Sequence, residues 1–136
     1  MNNTQKVSVE LKNGKFRLMK GVKIEELNPK ALLLCATAQC AGFTIMNQLG
    51  RDHIVPKRCE ITIEGVLDTT RLLPESKFRS FMISYNIESR NMLEQKATSE
   101  AVNAAQERHC GMIAMLRKIA PVSHEISIVS TETTTV

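Results

Sequence analysis

The chain has 136 residues, with 18 lysines and arginines against 14 aspartates and glutamates, for a net charge of +4. That length suits one domain able to bury about two-thirds of the surface its unfolded form exposes, so no covalent staple is required. The basic residues are scattered, and no Trp and only one Tyr are available to stack on bases, so neither a phosphate track nor a stacking platform is legible and no nucleic-acid partner is expected.

The first fifteen residues, MNNTQKVSVELKNGK, contain no apolar run of the signal-peptide kind. The longest apolar segment, residues 31–45, is interrupted by Thr37, Gln39 and Thr44 and is too short to span a bilayer. The expectation is a soluble cytoplasmic protein with no membrane partner.

Taken in chain order, Val7, Val9 and Leu11 alternate with polar residues, Asn13-Gly14 follows, and Phe16 and Leu18 resume the alternation. Asn-Gly between two alternating runs predicts a β-hairpin. Val22 and Ile24 extend the second strand or add a short third. Asn28-Pro29 supplies an N-cap and a first-turn proline, and Gly50 stands where a C-terminal cap belongs, which predicts a helix over residues 29–49, single or as two abutting pieces. Its apolar residues surround the axis, the pattern of a helix covered on every side. One small subunit can hardly provide that cover, so an intertwined homodimer is expected.

Cys59, Ile61 and Ile63 predict a strand with one buried face, and Phe81, Ile83, Tyr85 and Ile87 predict another. Residues 67–77, with Pro74, connect them. Asn91 or Ser89 caps a helix from about Leu93 to Arg108, with Leu93, Ala97, Ala101, Ala104 and Ala105 near one side, ending close to His109. Gly111 marks a break before a short amphipathic helix closed by Pro121. Ile126 and Ile128 form a last strand, and TETTTV frays or joins an edge. The whole reads as one α+β domain over residues 1–136, divided into a hairpin region (1–27), a central helix (28–50) and an α/β portion (54–136).

The four cysteines, Cys35, Cys40, Cys59 and Cys110, form no CxxC pair, and with His53, His109 and His124 they give no metal-ligand spacing. No metal and no cofactor are expected. Cys35 lies about 140° around the helix from Cys40 and is a poor disulfide partner for it. Cys59 reads as an inward strand residue, and each histidine as a surface or loop residue. Cys110 falls at a helix N-terminus, where a thiolate is stabilised. Cys40 falls mid-helix, where a cation from another segment would have to activate it. If Cys40 attacks a hydroperoxide it becomes a sulfenic acid, with which Cys110 can condense to a disulfide. The apolar neighbours Leu33, Phe43 and Met46 suit an organic peroxide better than hydrogen peroxide.

The segments NPKALLLCATAQCAGFTIMNQL, RCEITIEG and AQERHCGMIAMLRK together resemble the OsmC/Ohr family of osmotically inducible and organic-hydroperoxide-resistance proteins. The resemblance runs from about Asn28 onward and places the family's two reactive cysteines on Cys40 and Cys110. It implies an OsmC-like α+β fold: an intertwined homodimer whose β-sheets wrap a buried central helix, with active sites at the subunit interface. It implies thiol-dependent reduction of organic hydroperoxides in oxidative-stress defence, with Cys40 peroxidatic and Cys110 resolving. A dithiol, including lipoyl groups on proteins, serves as reductant in such members. The chain departs from the family pattern in three places. Lys30 stands where a glutamate usually orients an arginine against the first thiol. Arg17 is the nearest counterpart of that arginine. GMIAMLRK replaces a proline-containing run after Cys110. These departures mark a divergent branch and leave a second expectation beside the first: a homodimeric binding protein of the same fold, holding an apolar or thiol-reactive small molecule at the subunit interface.

Overall fold

The computed structural model describes residues 3–68, 70 and 76–130. The chain opens with strands β1 (Thr4–Lys12) and β2 (Lys15–Leu18), paired antiparallel with Lys12 opposite Lys15. Asn13 (φ 52°) and Gly14 (φ 78°) both take left-handed backbone, the requirement of a two-residue type I′ turn, which the Asn-Gly pair meets. The expected extension through Val22 and Ile24 does not occur. Lys20 and Gly21 adopt φ of 60° and 70°, which ends extended geometry, and the segment instead folds into two short 3₁₀ turns, Met19–Gly21 and Ile24–Glu26.

Helix α1 runs unbroken over Pro29–Arg51. Asn28 accepts a hydrogen bond from the Ala31 amide at 2.9 Å, and Pro29 fills a first-turn position where a missing N–H costs nothing. The helix does not stop at Gly50 as expected. It continues to Arg51, and His53 supplies the left-handed residue that ends it (φ 58°). At 23 residues, α1 is longer than its apolar core suggests and would reach across a membrane by length and composition alone. Here it is the core helix, with Leu34, Cys35, Ala38, Ala41, Ile45 and Leu49 buried.

Strands β3 (Arg58–Leu67) and β4 (Phe78–Ser89) follow, each with one buried face. Most of the connection between them, with Pro74, lies outside the described residues, as does the TETTTV tail. Helix α2 (Met92–Ala104) starts at Asn91, whose side chain accepts from the Glu94 amide at 2.9 Å. Its first turn differs from expectation: Leu93 is exposed, and the buried residues are Thr98, Ala101, Val102 and Ala104. A single π-turn, Ala105–His109, continues it, helix α3 (Gly111–Ile119) follows, and β5 (Val122–Ser130) ends the described chain.

The sheet order is β2-β1-β3-β4-β5, antiparallel except for the parallel β4/β5 pair. Both α1 and α2 pack across it and against each other, so one core fills the space between helices and sheet. At the β2 edge the fit is close. A Cβ added to Gly42 of α1 would stand 2.5 Å from the Phe16 ring. Only a glycine lets this edge strand lie flat on the helix. The opposite sheet face carries Lys6–Glu64 and Arg58–Glu60 ion pairs and a Ser8–Thr62 hydrogen bond, exposed pairs that contribute little stability.

Candidate functional site

The two cysteines singled out by sequence meet. Cys40 lies near the middle of α1 and is half-buried; Cys110 is the residue between the π-turn and α3 and is 2% exposed. Their side chains lie close enough that Cys40 helps to hold the Cys110 thiol in its protonated form. No disulfide joins them, and Cys35 and Cys59 are also free.

The π-turn is what delivers Cys110. Its N–H donates to the Ala105 carbonyl at 3.1 Å, a bond spanning five residues where an α-helix spans four. Such a bulge adds one residue to the turn and re-aims the chain beyond it. Cys110 then turns to extended backbone (φ −91°, ψ 106°) and heads α3, so that the amides of Met112 and Ile113 point at its sulfur. Arg117 of α3 donates to the Gln106 and Glu107 carbonyls, which the bulge leaves without helical partners.

The helix-terminus expectation for Cys110 is half right. The amides of Ile113 and Met112 do favour its thiolate, but burial is the larger influence, and the neighbouring Cys40 thiol acts in the same upward direction. Cys110 is therefore held above the usual thiol range, because desolvating an anion outweighs two amide dipoles. It therefore keeps its proton. Cys59, fully buried on β3, is pushed up to about 12 by burial and then by Glu60.

Beneath the pair lies a polar contact that the sequence did not announce. The Tyr85 hydroxyl donates to Gln106 Oε1 at 2.7 Å, both groups being buried. Burial, then the thiols of Cys110 and Cys59, hold the phenol above its usual range, with Arg117 opposing them. Gln106 Nε2 has no partner among the described residues although Gln106 is 1% exposed. A glutamine four residues before Cys110, directly after Ala104 and Ala105, was the available signal.

Arg17 occupies exposed β2, opposite Glu10 in the ladder. It lines an edge groove of about 390 Å³ with Gln39, whose side chain donates to the Phe16 carbonyl at 3.2 Å. Among the described residues nothing joins its guanidinium to either thiol. Lys30 sits ten residues before Cys40, about 15 Å away along the helix axis, beyond direct contact within one subunit. His53, His109 and His124 are exposed, and among the described residues no cluster of metal-ligating side chains occurs.

A family model described as OsmC-like protein matches residues 21–125. Among solved structures, an OsmC-like protein from Mycoplasma pneumoniae aligns at 14% identity over 95% of this chain and 97% of its own, with a TM-score of 0.62. An OsmC-like hydroperoxide resistance protein from Jannaschia sp. CCS1 aligns at 16% identity over 84% and 85%, with a TM-score of 0.63. An organic hydroperoxide resistance protein from Legionella pneumophila aligns at 18% over 90% and 96%, with a TM-score of 0.58. At these identities the likeness is one of fold. None of the curated proteins matches the sequence.

Proposed function

The chain belongs to the OsmC-like protein family, and from that premise we propose that it is a thiol peroxidase for organic hydroperoxides, with Cys40 as the attacking thiol and Cys110 as the resolving one. The observation that carries this is the closeness of the Cys40 and Cys110 thiols, which belong to residues seventy positions apart. Two thiols that only fill space need no such meeting. Their unequal settings support the division of roles: Cys40 is half-exposed, whereas Cys110 is buried and protonated.

The Cys40 sulfur attacks the distal oxygen of ROOH. The O–O bond breaks, ROH leaves with a proton, and Cys40 becomes a sulfenic acid. The Cys110 sulfur then displaces the hydroxyl, water departs, and a Cys40–Cys110 disulfide forms. A dithiol reductant, small or lipoyl-bearing, takes up the disulfide by exchange and is itself oxidised. Cys110 loses its proton only as it attacks, so a buried, raised thiol suits the second step better than the first.

The proposed active form is a homodimer. The outer side of α1 leaves Leu32 and Phe43 exposed beside Cys40, and Met115 and Ile119 of α3 and Ile24 before α1 are exposed as well. Apolar surface of this kind around a reactive thiol calls for cover, and a second copy of the chain supplies it. A cation for Cys40 would then come across that interface, with Arg17 of the other copy as the proposed source.

The test is consumption of cumene hydroperoxide with dihydrolipoamide as reductant. Wild type turns over, Cys40→Ser does not, and Cys110→Ser yields a sulfenic acid that a dimedone probe traps on Cys40. Absence of turnover in reduced wild-type protein overturns the reading.

A further inference from the structure

The turn that carries Cys110 departs from regular helical winding, and the departure has to be held in place. In an α-helix the Cys110 amide would bond to the Gln106 carbonyl, four residues back. Here it bonds to Ala105 at 3.1 Å, and the Gln106 carbonyl loses its helical donor. Gln106 bears a second cost. Its side chain is 1% exposed, yet Nε2 has no partner among the described residues, and a buried donor left unpaired is unfavourable. A turn of this kind persists only where surrounding groups fix it.

Two elements do so. From β4, the Tyr85 hydroxyl donates to the Gln106 side chain at 2.7 Å. From α3, Arg117 reaches back ten and eleven residues: Nη1 donates to the Glu107 carbonyl at 3.4 Å and Nη2 to the Gln106 carbonyl. The guanidinium thus supplies the donor that the bulge withdraws, and its charge lies at the carbonyl end of the α2 turn, the negative pole of the helix dipole. A basic residue in a last helical turn ordinarily offsets the dipole of its own helix, as Lys118 is placed to do. Arg117 instead turns away from the end of α3, toward the residues before its start. It stands about 160° around α3 from both Met115 and Ile119, so a second copy packed on those two residues leaves it in place.

From these contacts we propose that Arg117 is a positioning residue for the thiol pair: by donating to the Gln106 and Glu107 carbonyls it locks the π-turn, and the locked turn holds Cys110 beside Cys40. Its influence falls on the step that joins the two sulfurs, not on the attack of Cys40 on peroxide. This assignment rests on the peroxidase reading for the reaction, but closure of the disulfide is measurable without peroxide.

The first measurement is equilibrium with glutathione. Protein dithiol and glutathione disulfide exchange to give the Cys40–Cys110 disulfide and two reduced glutathiones, and the equilibrium constant is the effective concentration of one thiol at the other. Arg117→Gln is expected to lower this constant about tenfold, which corresponds to losing one charge-assisted hydrogen bond. Arg117→Lys, which keeps the charge but lacks the fork that spans two carbonyls, is expected to recover only part of the loss. Lys118→Gln makes the same change in charge one residue on and is expected to leave the constant at the wild-type value. A constant unmoved by Arg117→Gln, or lowered equally by Lys118→Gln, overturns the assignment. Where Arg117→Gln does not fold, Arg117→Lys decides: a constant below wild type upholds the role, and one equal to wild type removes it.

The second measurement is stopped-flow reaction of the reduced proteins with one equivalent of cumene hydroperoxide. Arg117→Gln should form the Cys40 sulfenic acid at the wild-type rate and close the disulfide about tenfold more slowly, so that dimedone captures more of Cys40 than in wild type. Equal slowing of both steps overturns the positioning role. If wild type consumes no peroxide, the peroxidase reading fails, and the glutathione constant decides the role of Arg117 by itself.

Discussion

The Cys110 thiol stands beside that of Cys40, bringing the head of α3 to the middle of α1. Oxidation should convert this contact to a covalent bond with little movement. One equivalent of t-butyl hydroperoxide is expected to remove both thiols from titration and to give a Cys40–Cys110 linked peptide in non-reducing digests, with Cys35 and Cys59 left reduced. A product linking any other pair, or chains joined to each other, would contradict the arrangement.

The raised thiols set an alkaline limit on stability. Cys59 has an ordinary value of 9.0 and a folded value of about 12, so above pH 9 the unfolded chain releases its proton while the folded chain retains it. The folded state then binds more protons, and stability falls as pH rises. Below pH 9 the contribution is fully present; between about 9 and 12 it is lost at up to roughly 1.4 kcal/mol per pH unit. Thermal midpoints measured from pH 7 to 11 should decline in this window, and less steeply in Cys59→Ala. An identical decline in both proteins would assign the effect elsewhere.

Gly42→Ala is a steric probe of the β2 edge. Its new methyl would meet the Phe16 ring, and overpacking of this sort costs about 1–3 kcal/mol, more than the helix propensity gained by replacing glycine with alanine, about 1 kcal/mol. Chemical denaturation should show net destabilisation, and Gly42→Ala with Phe16→Leu should recover part of it. A more stable Gly42→Ala protein would mean that Phe16 moves aside freely.

Tyr85 and Gln106 should behave as a unit. Tyr85→Phe removes the donor and strands a buried amide oxygen, a loss of about 1–3 kcal/mol, whereas removing both polar partners is nearly neutral. Tyr85→Phe with Gln106→Leu should therefore be more stable than Tyr85→Phe alone. Additive losses in the double-mutant cycle would show that the two side chains do not depend on each other.

Much of the fold was legible because it rests on local chemistry. Asn13-Gly14 fits a turn that needs two left-handed residues, Asn28 and Asn91 cap helices with their own side chains, and period-two alternation marks β3 and β4. The failures are places where backbone conformation or distant packing decides. Val22 and Ile24 look like strand residues, yet Lys20 and Gly21 turn the chain before they can pair. Gly50 looks like a stop, yet the helix carries through it to Arg51. For the site, Cys40 and Cys110 stood out by the chemistry that two thiols can do and by the resemblance, not by their spacing. Cys110 was placed at a helix start, but the sequence could not weigh burial against the amide dipoles there. The Tyr85–Gln106 contact joins segments far apart in sequence, and no periodicity reports it.

The π-turn at Ala105–His109 has a consequence for how this chemistry can be gained or lost. Each helical residue turns the chain by about 100° around the axis, and the bulge holds one residue more than a regular turn. Deleting a single residue there would restore ordinary helical winding and swing Cys110 about a quarter-turn away from Cys40, with every side chain of the pair intact. The meeting of these two thiols is thus written in chain length as much as in cysteine: a one-codon change in a stretch that holds neither thiol would separate the two sulfurs.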